Sequence, residues 1–230
     1  MPLAMIYVHE THEIVGGKMD EFATAVRDVW RPRLEEHGGA RLVWYWELTH
    51  GTGASYQSVS LTAVRDWETW GDLVGRGIVR DWHREVAALR KDVVQKMLLP
   101  AEWSPLQVVG LDDPWPLAKT DKPGLYLHDT GWPFPGRLEP YVEALGRVLK
   151  PQEAKTGMMK VVACFTTAPG TGRQHEVLLL QRLDSWDAFA RLLTDGEHNA
   201  PKGGWMEEGL KYRDRWESKL LRCARWSPRQ

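Results

Sequence analysis

The sequence predicts an α+β protein built from two copies of one βαββαβ unit. Three observations carry that prediction. A set of Tyr, His, Gly, Pro and Trp residues recurs at a fixed spacing. Each copy switches between strand and helix periodicity in the same order. A proline-rich stretch separates the copies.

The recurrence is read residue by residue. Tyr7, His9, Thr11, Gly17 and Phe22 return 119 positions later as Tyr126, His128, Thr130, Gly136 and Tyr141. The same shift takes Pro32 to Pro151, Gly38 to Gly157, Trp67 to Trp186 and Gly51-Thr52-Gly53 to Gly170-Thr171-Gly172. Beyond these the shift becomes 123, so that Trp82 matches Trp205 and Trp103-Ser104-Pro105 matches Trp226-Ser227-Pro228. A four-residue insertion in the second copy, between about 194 and 204, accounts for the change. The copies span 1–105 and 124–230. Residues 106–123, with Pro114, Pro116 and Pro123 and the Asp112-Asp113 pair, read as a surface linker.

Within the first copy, residues 4–11 alternate apolar and polar and predict a strand broken at Gly16-Gly17. Phe22, Val26, Val29 and Trp30 recur at helical spacing, and Pro32 is expected to end or kink that helix. Leu42–Leu48 is apolar on both parities, as in a strand buried on both faces. The Gly51–Gly53 turn leads to a third strand, Ser58–Val64. Asp66 or Arg65, and Ser185 or Asp184 in the second copy, stand where a helix cap is expected. Trp82, Val86, Leu89 and Val93 mark an apolar helical stripe, and Met97–Trp103 reads as the closing strand.

A βαββαβ unit is ferredoxin-like, with helices on one side of its sheet, so the other face needs cover. Two copies in one chain can supply it. The expected architecture is two tandem ferredoxin-like units packed sheet-to-sheet as an intramolecular α+β barrel. In this topology the second and fourth strands are opposite sheet edges, which keeps Cys164 and Cys223 from bonding within one sheet. Reduced thiols and a cytoplasmic setting are the expectation.

Composition narrows the function classes. Lys plus Arg is 30 and Asp plus Glu is 31, so the basic excess of a nucleic-acid binder is missing. No apolar run reaches membrane-spanning length and no secretory leader is visible. Thirteen Trp residues suit large cores or an aromatic ligand cavity. The sequence holds no nucleotide loop, dinucleotide fingerprint or nucleophile elbow.

The run Gly17-Lys18-Met19-Asp20-Glu21-Phe22, then Trp44-Tyr45-Trp46, the Gly51–Gly53 turn and Asp66-Trp67, resembles the NIPSNAP-like branch of the dimeric α+β barrel superfamily. The resemblance covers both copies. It implies the fold and leaves the activity open among cofactor-independent monooxygenases, cyclases, isomerases and haem-degrading or haem-dependent enzymes.

The candidate chemistry starts from the repeated Tyr-x-His-acidic motif: Tyr7, His9 and Glu10, then Tyr126, His128 and Asp129. Strand alternation places Tyr7, His9 and Thr11 on one face and Ile6, Val8 and Glu10 on the other. Ile6 and Val8 are expected under the helices, so Tyr7 and His9 are expected to point into the barrel. His128 or His9 would be a general base, and Tyr126 or Tyr7 a donor to a developing enolate oxygen. The rival reading makes all four structural. Trp44, Trp46, Thr11, Thr130, Phe165 and His198 are expected to contact the substrate. His198 is included because the insertion could lid one cavity mouth. Ala163 and Phe165 stand where the first copy has Trp44 and Trp46, which either opens room or lets one copy fill the other's gap.

No metal site is expected, because His9 and His128 lack a third ligand of the right parity. The leading reading is a cofactor-independent acid/base enzyme (isomerase, cyclase or lyase, with oxygenase as a further option). Its substrate would be a hydrophobic, aromatic or polycyclic carbonyl compound. Haem is the alternative cofactor implied by the resemblance, with His83 or His198 as its ligand. A non-catalytic binding or assembly module is the third reading. The expected partner is a small hydrophobic molecule, with no nucleic acid and no membrane, and a homodimer through helix faces is compatible with this.

Overall fold

The computed structural model describes residues 5–49, 53–112, 122–173, 175–194 and 204–230. The first repeat forms β1 (Ile6–Ile14), α1 (Met19–Ala25), α2 (Arg31–His37), β2 (Ala40–Leu48), β3 (Gln57–Val64), α3 (Trp67–Gly75), α4 (Ile78–Glu85) and β4 (Arg90–Pro100). The second forms β5 (Leu125–Trp132), α5 (Leu138–Ala144), α6 (Lys150–Thr156), β6 (Met159–Thr167), β7 (Val177–Leu183), α7 (Trp186–Thr194), α8 (Trp205–Glu208) and β8 (Arg215–Cys223). Strand order is β4-β1-β3-β2 in the first repeat and β8-β5-β7-β6 in the second, the ferredoxin-like order in both. Pairing is antiparallel in β1–β3, β1–β4 and β2–β3, and again in β5–β7 and β6–β7.

Two elements depart from the sequence expectation. Pro32 neither ends nor breaks its helix. One π-helical turn, Val26–Trp30, precedes it, and α2 continues to His37 before Gly38 stops it at φ +79°. A proline lacks the N–H that would bond back along the helix, and its ring crowds the preceding turn. The wider π turn makes room for the ring, and the Arg31 side chain donates to the Arg27 carbonyl at 3.3 Å. The second repeat repeats the solution, with a π turn at Leu145–Leu149 before Pro151. Val29, expected on the apolar stripe, is 37% exposed.

The second departure is the stripe Trp82, Val86, Leu89, Val93. Helix α4 ends at Glu85, and Val93 already belongs to β4, which begins at Arg90 rather than near Met97. Arg90, Lys91 and Asp92 carry no apolar alternation, so the start of this strand has no period-2 signature. The caps are as expected: the Asp66 side chain accepts from Thr69 N–H at 2.8 Å, and Ser185 Oγ from Ala188 N–H at 3.0 Å.

The compact units do not coincide with the repeats. One holds the chain up to Leu99 with Val108–Pro123 and Arg222–Gln230; the other holds Pro100–Gln107 with Gly124–Leu221. Each repeat's closing Trp-Ser-Pro segment therefore belongs to the unit of the other repeat. In the first unit Ala224 N–H donates to Tyr45 O at 3.0 Å, Tyr45 N–H donates to Ser227 Oγ at 3.0 Å, and Trp226 stacks on the Tyr45 ring at 5.0 Å. In the second, Ala101 N–H donates to Cys164 O at 2.9 Å and Cys164 N–H to Ser104 Oγ at 3.0 Å. Tyr45 and Cys164 are repeat counterparts, so the same serine clasp is built twice.

The expected linker starts as packed chain: Leu106 and Val109 are buried, and Arg41 donates to the carbonyls of Gly110 and Leu111 at 2.8 and 2.9 Å. Its residues 113–121, and residues 51 and 52 of the first hairpin turn, lie outside the described residues. Ser227→Ala and Ser104→Ala should each cost about 1–3 kcal/mol, because each strands a buried backbone donor. Thermal melts of the two variants, falling by similar amounts, check that the clasps are equivalent.

Cys164 and Cys223 are both buried free thiols. Among the described residues no helix is long and apolar enough to cross a membrane.

Candidate functional site

The strand registers place every residue of β1 and β5 on a definite face. Opposite the helices, His9 aligns with Leu61 and Trp44, and Thr11 with Val59 and Trp46. In the second repeat His128 aligns with Leu180 and Ala163, and Thr130 with Leu178 and Phe165. The expected residues thus share a face within each unit, in the expected parity. Tyr7, His9, Trp44, Trp46, Tyr126, His128, Thr130 and Phe165 are buried there, and Thr11 is half-buried. Trp44 and Trp46 stack on each other at 5.3 Å, with the Arg229 guanidinium 5.4 Å from the Trp44 ring. Burial pushes the Tyr7 phenol up, partly offset by Arg229. His198 lies outside the described residues.

The other face, under the helices, holds the charged chemistry. In the second unit Asp129, Gly131, Tyr141, Leu145, Val177, Leu179, Trp205, Arg213 and Trp216 line a cavity of about 20 Å³, room for one water molecule. β5 supplies Asp129 and Gly131, α5 supplies Tyr141, and α8 supplies Trp205. Trp205 is held by its backbone N–H, which donates to Gln152 Oε1 at 2.8 Å. The Arg213 guanidinium donates through Nε to Tyr141 Oη at 2.9 Å. It lies 5.3–5.9 Å from the rings of Trp216, Tyr141 and Trp205. Trp216 is 41% exposed, so the cavity wall reaches the surface at its edge.

Asp129 is half-buried with its carboxyl enclosed, and Gln181 Nε2 donates to its Oδ2 at 2.7 Å. Desolvation pushes the carboxyl up to about 6, against the pull of Ser218, Gln181 and the Arg213 charge. Tyr141 is pushed up to about 12 by burial, so it keeps its proton as a donor. Glu153, on α6, is pushed up to about 8 by burial, with the Val161 N–H opposing and the Asp129 charge reinforcing the shift. A carboxyl near neutrality, a phenol and a guanidinium at one small cavity can exchange a proton with carbon and hold the resulting oxyanion.

The first unit carries the counterpart cluster. Glu10 matches Asp129 and Arg90 matches Arg213, at shifts of 119 and 123. Gln95 Nε2 donates to Glu10 Oε1 at 3.1 Å. Arg90 donates from one terminal nitrogen to His12 Nδ1 at 3.0 Å and from the other to His83 Nδ1. A guanidinium only donates, so both Nδ1 atoms are acceptors and each ring carries its proton on Nε2. His12 Nε2 then donates to Ser60 Oγ at 3.2 Å, and His83 Nε2 faces Glu10 Oε1 at 3.6 Å. Burial and the Arg90 charge hold both imidazoles below the usual histidine range, and burial raises Glu10.

His83 does not fit the role of a haem ligand. Its Nδ1 is taken by Arg90 and its Nε2 faces a buried carboxylate, so iron ligation would break the cluster. Among the described residues no three His, Cys, Asp or Glu side chains are arranged to hold a metal ion.

Asp129, Tyr141, Arg213, Trp205 and Trp216 were not among the expected site residues. Two signals pointed to them. An acidic residue recurs at Glu10 and Asp129 on the parity otherwise reserved for Ile6, Val8, Leu125 and Leu127. An arginine recurs at Arg90 and Arg213, at the same shift as Trp82 and Trp205.

No family model and no curated protein matches the chain. Solved structures do. A proposed monooxygenase from Fusobacterium nucleatum superposes with a TM-score of 0.64 over 97% of this chain and 94% of its own, at 8% identity. An anthrone oxidase-like protein gives 0.63 over 96% and 91%, at 9% identity. A NIPSNAP family protein from Agrobacterium tumefaciens, 21% identical, covers 45% of this chain and 99% of its own, with a TM-score of 0.38. The fold is that of the dimeric α+β barrel proteins, with the ferredoxin-like unit present twice in one chain.

Proposed function

We propose that this protein is a small-molecule enzyme of the dimeric α+β barrel type. It would act by acid/base catalysis, without a cofactor, on a hydrophobic aromatic carbonyl compound. The observation that carries the reading is the second repeat's one-water cavity, where the Asp129 carboxyl, raised to about 6, sits with Tyr141 and Arg213; only the carbonyl end of a substrate would enter it, displacing the water, with the rings outside against the exposed Trp216. Asp129 takes a proton from the carbon next to the carbonyl: the C–H bond breaks and the carboxyl O–H forms. The electron pair moves onto the carbonyl oxygen, which Arg213 and Tyr141 stabilise by donation. Return of the proton elsewhere on the molecule is isomerisation. Loss of a leaving group, ring closure or direct reaction of the carbanion with dioxygen are the other fates of the same intermediate.

His9 and His128 keep a place in this reading as donors on the opposite face, with Tyr7 and Tyr126 beside them in sequence. The proton transfer is assigned to Asp129, because the described cavity opens beside its carboxyl. The likeness to an anthrone oxidase-like protein suggests anthrone as the probe. In deuterated buffer without oxygen, the protein should accelerate deuterium uptake at the anthrone methylene, followed by mass spectrometry. Admitting air then tests whether oxidation follows. An exchange rate equal to buffer alone, over pH 5–8, would sink the reading for this substrate class. Exchange that survives in Asp129→Asn but is lost in His128→Ala would return the chemistry to the opposite face.

A further inference from the structure

Each helix-side carboxylate accepts from one glutamine, and the two glutamines stand at different places. In the first repeat Gln95 donates to Glu10 from β4, in direct register with it. The counterpart of Gln95, at the shift of 123, is Ser218. In the second repeat Gln181 donates to Asp129 from β7, in register with Leu127. The counterpart of Gln181, at the shift of 119, is Thr62. The place of the amide matters because the cavity lies to one side of Asp129. Along β5 the helix-side residues run Leu127, Asp129, Gly131. Gly131 and its register partner Val177 line the cavity with Asp129, and Gln181 is outside that lining. Gln181 therefore reaches the carboxyl from the step behind, away from the cavity, and takes Oδ2 at 2.7 Å. Oδ1 is enclosed and has no hydrogen-bond partner among the described residues. Gln181 Oε1 has none there either, so the buried amide is committed to Asp129. The Ser218 hydroxyl also steadies the ionised carboxyl, but its O–H rotates to suit its acceptor and sets no direction.

Resting on the proposed function of the second repeat, we infer that Gln181 is the positioning residue of that site. By holding Oδ2 from behind, it turns Oδ1 toward the cavity and makes Oδ1 the oxygen that takes the substrate proton. The substrate C–H bond breaks, the Oδ1–H bond forms, and the electron pair passes to the carbonyl oxygen that faces Arg213 and Tyr141. Gln181 touches neither the substrate nor the moving proton. An amide suits this role, because its N–H is directional, it carries no charge and it does not titrate.

Two variants separate orientation from simple stabilisation of charge. Gln181→Leu removes the amide at similar volume, beside Leu127. Gln181→Thr/Ser218→Gln moves the amide to the place it has in the first repeat, where Thr62 and Gln95 stand. Arg213, Tyr141 and Glu153, the charged and titratable groups that act on Asp129, stay in place in both. Crystal structures give the angle of the carboxylate, and carbon NMR of the Asp129 carboxyl gives its titration, both without turnover. Anthrone exchange gives the plateau rate and KM. In Gln181→Leu the carboxylate should turn from its wild-type angle. Its midpoint should rise, because the ionised form has lost a donor. The plateau rate should fall about 100-fold with KM unchanged. The transposed pair should bring back the midpoint without the rate, since its amide pulls from beside the carboxylate and not from behind it.

Gln181→Leu protein that keeps the wild-type carboxylate angle, or the wild-type plateau rate, overturns the inference. So does a transposed pair that recovers the rate together with the midpoint, which would make any donor sufficient. Wild type that fails to accelerate anthrone exchange, while the carboxylate turns in Gln181→Leu, would remove the proposed reaction and leave the orienting role standing.

Discussion

Asp129→Asn should leave a protein that is more stable above pH 6 and inactive in anthrone exchange. The two effects have one cause. Burial raises the Asp129 carboxyl from 3.8 to about 6. A folded-state carboxyl raised above its unfolded value binds a proton that the unfolded chain has already released. Its contribution to stability is intact below 3.8 and is lost as pH climbs through about 6. The loss amounts to about 3 kcal/mol, and the asparagine escapes it. The same elevation makes the carboxylate a stronger base than an ordinary aspartate, which the catalytic reading requires. Removing a positioned base costs typically about 10²–10⁴ in rate. The wild-type exchange rate should rise with pH through about 6 and level off above it, as the basic form accumulates. Denaturation curves at pH 4 and pH 8, beside the exchange rate, separate the possibilities. A variant stabilised at pH 8 with its rate intact would leave the Asp129 carboxyl enclosed for a reason other than catalysis.

The repeat made the fold legible. Trp, Gly and Pro matches set the frame, and the parity of β1 and β5 followed from Ile6, Val8, Leu125 and Leu127. What misled was local. Pro32 in isolation signals a helix end, but a helix can widen by one π turn, and nothing in composition announces that. Arg90-Lys91-Asp92 at the start of β4 has no strand pattern, because most of it is exposed and Arg90 is recruited by His12 and His83. The candidate site was harder. The histidines recur and sit among apolar residues, which makes them candidates for the reactive groups, whereas the acidic residues lie on the other parity. The parity is as expected, and it places the acidic pair on the face where the proposed chemistry lies. A carboxylate placed under helices is costly unless it is paired or put to use. Its appearance in both copies, with an arginine at the matching position, is the signal on which the proposed site rests. Tyr141 and Gly131 could not be read singly. The Tyr141 hydroxyl fills the space that a side chain at 131 would need, a contact between residues ten apart in the sequence, and the counterparts Phe22 and His12 are of different chemistry.

Glu153 gives the second large effect, and it is confined to the second repeat, since its counterpart is Leu34. The side chain is buried on α6, and its carboxyl is pushed up to about 8 from 4.5, by desolvation first and by the Asp129 charge as a minor contribution. At neutral pH the folded protein holds Glu153 protonated while the unfolded chain ionises it. Stability from this group is therefore complete below 4.5, falls as pH rises, and is exhausted above about 8. Relative to Glu153→Gln, wild type should be less stable by about 3 kcal/mol at pH 7 and by about 5 kcal/mol above pH 8. Below pH 4 the two should melt together. Asp129 is already ionised when Glu153 titrates, whereas Glu153 is still protonated and uncharged when Asp129 titrates at about 6, so neither Glu153→Gln nor Glu153→Leu should move the midpoint of the exchange profile set by Asp129. A midpoint lowered by both variants would instead mean that Glu153 is ionised while Asp129 titrates, contrary to its raised carboxyl. An unchanged midpoint, together with the stability gain, would restrict it to a buried acid with no part in the chemistry.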